Sequence, residues 1–372
     1  MVQAVYRKET KKLTKNLPLV GIRPGWWESG DDLKTIAEQI IYLKPEDLKD
    51  FVPEMGKIYS GLPNEQYHSF KDVESSTTVK VLLVTIKHWL DIQSKSTDAM
   101  AFGTLFHDSM EALRTGQDLS EFSRVIDSFG RSKKSDAADF ILKYYPLVHG
   151  GIECPQDKEE MESKAVTRAD LHKVADELEK AFLGGRQKVT TEDFERSQKM
   201  VEAIRGNPVT KRLIGYHGHA ELSFFCEVEV EINGETHLVK VRVRPDDLIE
   251  FDDEVWVNDW KSIGDVATDK NIKNACWKWR YDIQAAMYFD VVSHFTSKPV
   301  KFRLIFAESN MPAKEKVRVE QLSEHDMNEG WKDYRKALKN KALYLQDNTI
   351  WTGYDIPDNG IGTISMRREP SF

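Results

Sequence analysis

From Ser75 onward, apolar residues recur at three- and four-residue steps. Val79, Leu82, Leu83, Ile86 and Leu90 form the stripe of a helix packed on a core. The same periodicity predicts a helix over 101–113 and helices through much of 120–212, with an earlier one over 33–43. Thr167-Arg168-Ala169-Asp170 and Thr190-Thr191-Glu192-Asp193 set a hydroxyl before an acidic first turn, as helix starts do. The acidic stretch 156–163 reads as a loop or a solvated helix face. At Glu221 the period changes to two. Strands are predicted over 222–232 and 237–244, joined by the hairpin signal Asn233-Gly234. Asp252-Asp253 turns the chain into a third strand, 255–261. A helix over 271–295, a strand over 300–306 and a closing helix over 320–345 complete the order. The fold class expected is α/β (α+β): a mixed sheet holding an antiparallel three-strand meander, flanked by helices, with helical decoration N-terminal to it.

Composition narrows this picture. Hydrophobic residues make up 40% of the 372 positions, ample for a core, and no run approaches the length needed to cross a bilayer. Met1-Val2-Gln3-Ala4 does not lead into an apolar signal segment, so a cytoplasmic location is expected. Cys154, Cys226 and Cys276 share no close spacing, which excludes an iron–sulfur cluster or a cysteine-built zinc site. The net charge of −8 weighs against a protein that merely coats nucleic acid. It weighs less against an enzyme, because carboxylates also hold metal cations.

The informative residues gather in the strand region. On the second strand Val239, Val241 and Val243 alternate with Lys240, Arg242 and Arg244, giving one apolar and one basic face. Pro245-Asp246 ends that strand, and proline removes a ladder donor where a strand leaves its sheet. On the third strand Asp259 and Lys261 project from one face, roughly 7 Å apart. A hairpin that brings Asp246 beside Asp259 offers two carboxylates for Mg²⁺ and a lysine for a phosphate diester or its attacking water. Alone, Asp-x-Lys arises by chance in any highly charged protein; the Pro-Asp upstream, at the turn of the same hairpin, makes an accidental pairing considerably rarer.

Arg244-Pro245-Asp246, Asp259-Trp260-Lys261 and Tyr281-Asp282-Ile283-Gln284 with Tyr288 resemble the PD-(D/E)xK signature and QxxxY helix of RecB-family nucleases. The wording is most similar to the RecE-type (exonuclease VIII-like) phage recombination exonucleases. Phe102-Gly103-Thr104-Leu105-Phe106-His107 resembles the family's GxxxH helix. Ala220-Glu221-Leu222-Ser223 resembles its acidic position before the first strand, and Trp351-Thr352-Gly353-Tyr354 its C-terminal segment. The resemblance implies that Asp246 and Asp259 ligate metal together with His107 and Glu221, and that Lys261 is the catalytic lysine. It also places Gln284 and Tyr288 against the active site. Taken singly, His107 reads as an ordinary helix histidine, Glu221 equally as the start of a strand, and Gln284 and Tyr288 as interior polar packing.

The resemblance further implies a Mg²⁺-dependent exonuclease, with Mn²⁺ substituting, that digests double-stranded DNA ends 5′→3′ to leave 3′ tails. A ring-shaped homo-oligomer and a RecT-like annealing partner in a bacterial host follow from it, as does phage or prophage origin. Candidate DNA contacts are Arg242 and Arg244 with Lys273, Lys278 and Arg280; Lys270, Trp277 and Trp279 interleave with the last three, and the same segment reads equally as a solvated face. Another PD-(D/E)xK nuclease, restriction-like or acting in single-strand repair, and a non-catalytic DNA-binding relative are the competing readings. Residues 1–57 are expected to be an arm. The nuclease domain would then span 58–372: a helical part 70–215, the catalytic sheet and helices 216–345, and a terminal segment 346–372.

Overall fold

The computed structural model describes residues 35–84, 86–90 and 98–346. The start of the expected arm and the Trp351-Thr352-Gly353-Tyr354 segment lie outside them. The described chain opens with α1 (Ile36–Gln39), β1 (Ile40–Tyr42), β2 (Lys57–Ser60), α2 (Asn64–Ser69), α3 (Ser76–Leu82), α4 (Ile86–Leu90) and α5 (Asp98–Thr115). Next come β3 (Ser123–Val125), α6 (Lys134–Val148), α7 (Lys158–Glu162), α8 (Arg168–Leu183), β4 (Gln187–Val189), α9 (Thr191–Gly206) and α10 (Pro208–Gly215). The strand region holds β5 (His219–Ala220), β6 (Ser223–Ile232), β7 (Glu235–Val243), β8 (Asp247–Glu250) and β9 (Val255–Ile263). Then follow α11 (Asp269–Trp279), α12 (Tyr281–Ser293), β10 (Val300–Glu308), β11 (Val317–Glu320) and α13 (Glu324–Gln346).

Local signals in the sequence account for many of these bounds. Thr167 and Thr190 cap α8 and α9 by accepting from the backbone N–H groups of Asp170 and Asp193. Asn233 and Gly234, both at positive φ (52° and 85°), make the two-residue turn between β6 and β7.

The mixed α/β class is as expected, but the strand pairing differs from the single meander. A four-stranded sheet runs β1-β2-β6-β7 and a separate five-stranded sheet runs β11-β10-β9-β8-β5. The chain leaves the first sheet after Val243 and enters the second at Asp247, a short strand that periodicity did not separate. Pro245 sits at this crossing, and β8, not β7, is the antiparallel neighbour of β9. β1 and β2 are built into the first sheet, where β2 pairs with β6.

In the second sheet β9 and β10 are parallel, connected through α11 and α12. α12 contacts β10 on one side and β6 and β7 on the other, so it lies between the sheets. Its sequence suits that place: Ile283, Ala285, Ala286, Met287, Val291 and Val292 bury nearly every side of the helix. The opposite face of the second sheet, with Trp256, Trp260 and Ile305, packs on α5 and α9 through Phe102, Phe106, Met200 and Ile204. A satellite core formed by α6, α7 and α8 around Phe140, Tyr144 and Leu171 makes up the helical decoration. No helix among the described residues is long and apolar enough to cross a membrane.

Candidate active site

The switch between sheets builds the site. Asp247 pairs with Asn258 across β8 and β9. One further step in that antiparallel register sets Asp246 opposite Asp259, because each pair of numbers sums to 505. Asp246 Oδ2 accepts the Trp260 N–H at 2.7 Å, which fixes its carboxylate at the sheet edge. Asp259 is buried; its Oδ1 accepts from Gln284 Nε2 at 2.8 Å and its Oδ2 forms an ion pair with Lys261.

α5 supplies the opposite wall. Phe102, Phe106 and Met110 bury one side of the helix, and Ser109 Oγ meets Ser197 Oγ of α9 at 2.8 Å. Gly103, His107 and Glu111, spaced at four-residue steps, therefore share the side that lines the cleft. A Cβ at Gly103 would meet nothing within 4 Å, so the GxxxH spacing leaves open room one turn before the imidazole. His107 Nδ1 lies 3.2 Å from Asp246 Oδ2.

Glu221, in the left-handed region at φ 50°, follows β5 and completes the group. Ligand atoms of His107, Glu221 and Asp246 all lie within 4.8 Å of one another. Burial and the nearby Asp246 carboxylate push Glu221 up to about 8. Burial opposes charge on His107, yet Asp246 carries its imidazole up to about 9. Asp246, against burial, is held below its ordinary value by His107, Lys261 and the Trp260 N–H. Two crowded carboxylates beside an imidazole make a donor set that suits a divalent cation with hard ligands. Asp259 falls outside this trio, committed to Gln284 and Lys261.

Lys261 is caged. Burial works against its ammonium, but Asp259, Asp246 and Tyr281 hold it well above the ordinary lysine value. The Tyr281 ring centroid is 5.1 Å from its Nζ. Tyr288, one turn after Gln284, donates its hydroxyl to the Arg244 carbonyl at 3.1 Å. The QxxxY pair thus holds both strand segments of the signature: Gln284 grips Asp259, and Tyr288 grips the backbone just before Pro245-Asp246. A cleft of about 970 Å³ opens over these residues, with Lys80, Glu111 and Arg244 also on its walls.

The basic face expected on the second strand is not a free phosphate surface. Arg242 is only 3% exposed and donates to the carbonyls of Phe70 and Val73, beneath the aromatic cluster of Tyr59, Tyr67 and Phe225. Arg244 is buried too, donating to Ser223 Oγ at 2.9 Å and to the Leu62 carbonyl at 2.6 Å. It also lies 3.8 Å from Glu221 Oε2, so it steadies a candidate ligand. Arg280 is held by Asp282 and Asp333 where α11 and α12 meet; its φ of 49° breaks what the sequence predicts as one helix. Lys273 and Lys278 are exposed. No sequence pattern announces Arg114, whose guanidinium reaches Asp247 Oδ2 at 2.7 Å from the end of α5.

Two mixed sheets around a buried helix, with a carboxylate–lysine cluster at the crossing between them, define a PD-(D/E)xK nuclease-type architecture. The chain belongs to the family described as PDDEXK-like domain of unknown function (DUF3799), which matches residues 66–349. That range contains all of the candidate site residues. A search of curated proteins gives no match. Among solved structures the chain is similar to a candidate exonuclease from Eubacterium rectale, at 14% identity over 84% of this chain and 97% of that one, with a TM-score of 0.40. It is also similar to a phage related exonuclease from Haemophilus somnus 129PT, at 9% identity over 59% of this chain and 97% of that one, with a TM-score of 0.24.

Proposed function

We propose that the protein is a RecE-type, Mg²⁺-dependent exodeoxyribonuclease that hydrolyses phosphodiester bonds from the ends of double-stranded DNA. The observation that carries this reading is the convergence of His107, Glu221 and Asp246 beside the Asp259–Lys261 pair, on one open cleft. His107, Glu221 and Asp246 would hold the cation, with Asp259 at its margin. The chemistry such a cation supplies is Lewis-acid polarisation of a phosphoryl oxygen and of the attacking water.

The chain's own groups perform the rest. Lys261 stays charged through the neutral range, so it donates rather than accepts: it orients the water or offsets charge gathering on the phosphorane. Asp259 aims the ammonium, Gln284 aims Asp259, and Tyr288 fixes the strand crossing that presents Asp246. Lys273 and Lys278 are the exposed cations offered to the DNA backbone. Digestion 5′→3′, a ring of subunits, delivery of the 3′ tail to a RecT-like annealing protein, and work inside a bacterial host belong to the same proposal, supported by the motif resemblance.

The test is hydrolysis of a linear duplex labelled at each end in turn, with and without Mg²⁺, beside a closed circle. Release of label from 5′ ends only, Mg²⁺-dependent and sparing the circle, is expected. Cutting of the circle, or turnover in a chelator, refutes the reading.

A further inference from the structure

α11 carries a feature that the reaction centre does not use. Lys270, Lys273, Asn274, Trp277 and Lys278 are all exposed. Their spacing of three, four, seven and eight residues from Lys270 sets them on one face, about 12 Å long at the helical rise per residue. Trp277 is 83% exposed; Trp279, two residues on and therefore on the opposite side of the helix, is 54% exposed. An indole left almost wholly in water is costly in apolar surface, and it stands here on a helix that packs through Ile272, Ala275 and Cys276.

None of the three lysines makes an ion pair among the described residues, although the chain as a whole is acidic. Asp269, the acidic residue at the start of the helix, is taken by Arg318 Nη1 at 2.6 Å. Lys278 Nζ lies 4.7 Å from the Trp279 ring centroid, which keeps a cation beside an aromatic face. The helix then ends at Arg280 and hands over directly to Tyr281, whose ring borders Lys261.

We infer that this face of α11 is a stacking platform for an unpaired DNA strand leaving or entering the cleft, with Trp277 taking a base and the three lysines the flanking phosphates. Unpaired nucleotides combine π-faces with regularly spaced anions, and this stripe offers the complement of both. A duplex keeps its bases stacked inside and offers nothing to a bare indole. The inference rests on the nuclease reading, because digestion of one strand is what generates the other as a single strand.

Binding of a fluorescein-labelled oligothymidylate of about 12 nucleotides, followed by anisotropy in EDTA so that none is hydrolysed, tests it. Trp277→Ala should weaken binding roughly five- to a hundredfold, while Trp277→Phe keeps most of the affinity. Lys273→Gln and Lys278→Gln should each flatten the dependence of log affinity on log salt by about 0.7. The exposure of these side chains means that each variant should melt as the unaltered chain does. Trp277→Ala affinity within twofold of the unaltered chain overturns the inference. So does a change in sedimentation without a change in affinity, which would make the face an interface between copies. Hydrolysis of linear duplex by the unaltered chain, measured in parallel, separates the two proposals: if it occurs while Trp277→Ala binds normally, only the platform falls, and if it fails, the nuclease reading falls.

Discussion

Gln284 Nε2 donates to Asp259 Oδ1 at 2.8 Å from the first turn of a helix buried between two sheets. The contact consumes one carboxylate oxygen and leaves the other to Lys261, so a single amide sets the direction in which the lysine points. Burial and the neighbouring Asp246 raise Asp259, while Lys261 offsets part of that rise. Asp259 still stays mainly ionised at neutral pH, paired with Lys261, and the amide donor favours that form.

Gln284→Ala should lower Mg²⁺-dependent hydrolysis by about 10- to 100-fold, a loss of the size seen when a partner that orients a metal-site group is removed. Gln284→Glu should do worse, because it presses a second carboxylate against Asp259 and draws Lys261 away. Initial rates on linear duplex measure both. A rate for Gln284→Ala within twofold of the unaltered chain would show that Asp259 needs no such restraint.

Lys261→Ala should reduce kcat by about 10²- to 10³-fold, as for loss of one preorganised electrostatic donor. Asp259→Ala should abolish hydrolysis yet leave DNA binding largely in place. Lys261→Arg should not restore the rate, since a planar fork does not fit a cage shaped by Asp259 and Tyr281 around a point charge. Unchanged turnover in Asp259→Ala would falsify the site assignment.

The parts of this centre that could be read from the sequence are those fixed by local periodicity. Asp259 and Lys261 share a face because strands alternate, and Gln284 and Tyr288 share one because helices turn every 3.6 residues. The crossing at Pro245 was harder. Alternation looks the same whether successive strands pair with each other or enter different sheets, so it joins β7 to β9 and does not separate Asp247–Glu250. Arg242 and Arg244 do alternate with the valines as expected. What covers them, the aromatic cluster around Tyr67 and Phe225, comes from chain distant in sequence. Glu221 depends on a positive φ that no strand pattern announces.

Cation binding should release protons. In chelator-treated protein the His107 imidazole, carried to about 9 by Asp246 despite burial, is protonated at neutral pH, and Glu221, raised to about 8, is largely so. Both must deprotonate to ligate, so affinity for Mn²⁺ should level off above about pH 9, fall below it, and fall more steeply below about 8. Titration calorimetry in two buffers of different ionisation enthalpy measures the proton count directly. More than one proton released at neutral pH is expected, and none released would mean that the cation avoids these two side chains. His107→Ala should remove part of the release and weaken Mn²⁺ binding.

Arg114 supports the strand crossing from behind. Its guanidinium donates to the carbonyls of Ile214 and Tyr216 at 2.9 and 2.7 Å and to Asp247 Oδ2 at 2.7 Å. Both side chains of the ion pair are buried, 9% and 1% exposed. Arg114→Ala leaves Asp247 as an unpaired buried carboxylate next to the candidate ligand Asp246, and should cost about 3–5 kcal/mol in urea or thermal unfolding. Burial already raises Asp247 above its ordinary value, and losing the arginine raises it further. A raised folded-state carboxyl favours the native protein in acid and loses that contribution as pH climbs through it. The deficit of Arg114→Ala should therefore be smallest near pH 4 and largest near pH 7 (both approximate). Adding Asp247→Asn removes the buried charge, so the double variant should be more stable at neutral pH than Arg114→Ala alone and lose most of that pH dependence. If Asp247→Asn brings no recovery, the cost of Arg114→Ala lies in the carbonyls it abandons at the end of α10, and the ion pair with Asp247 is incidental.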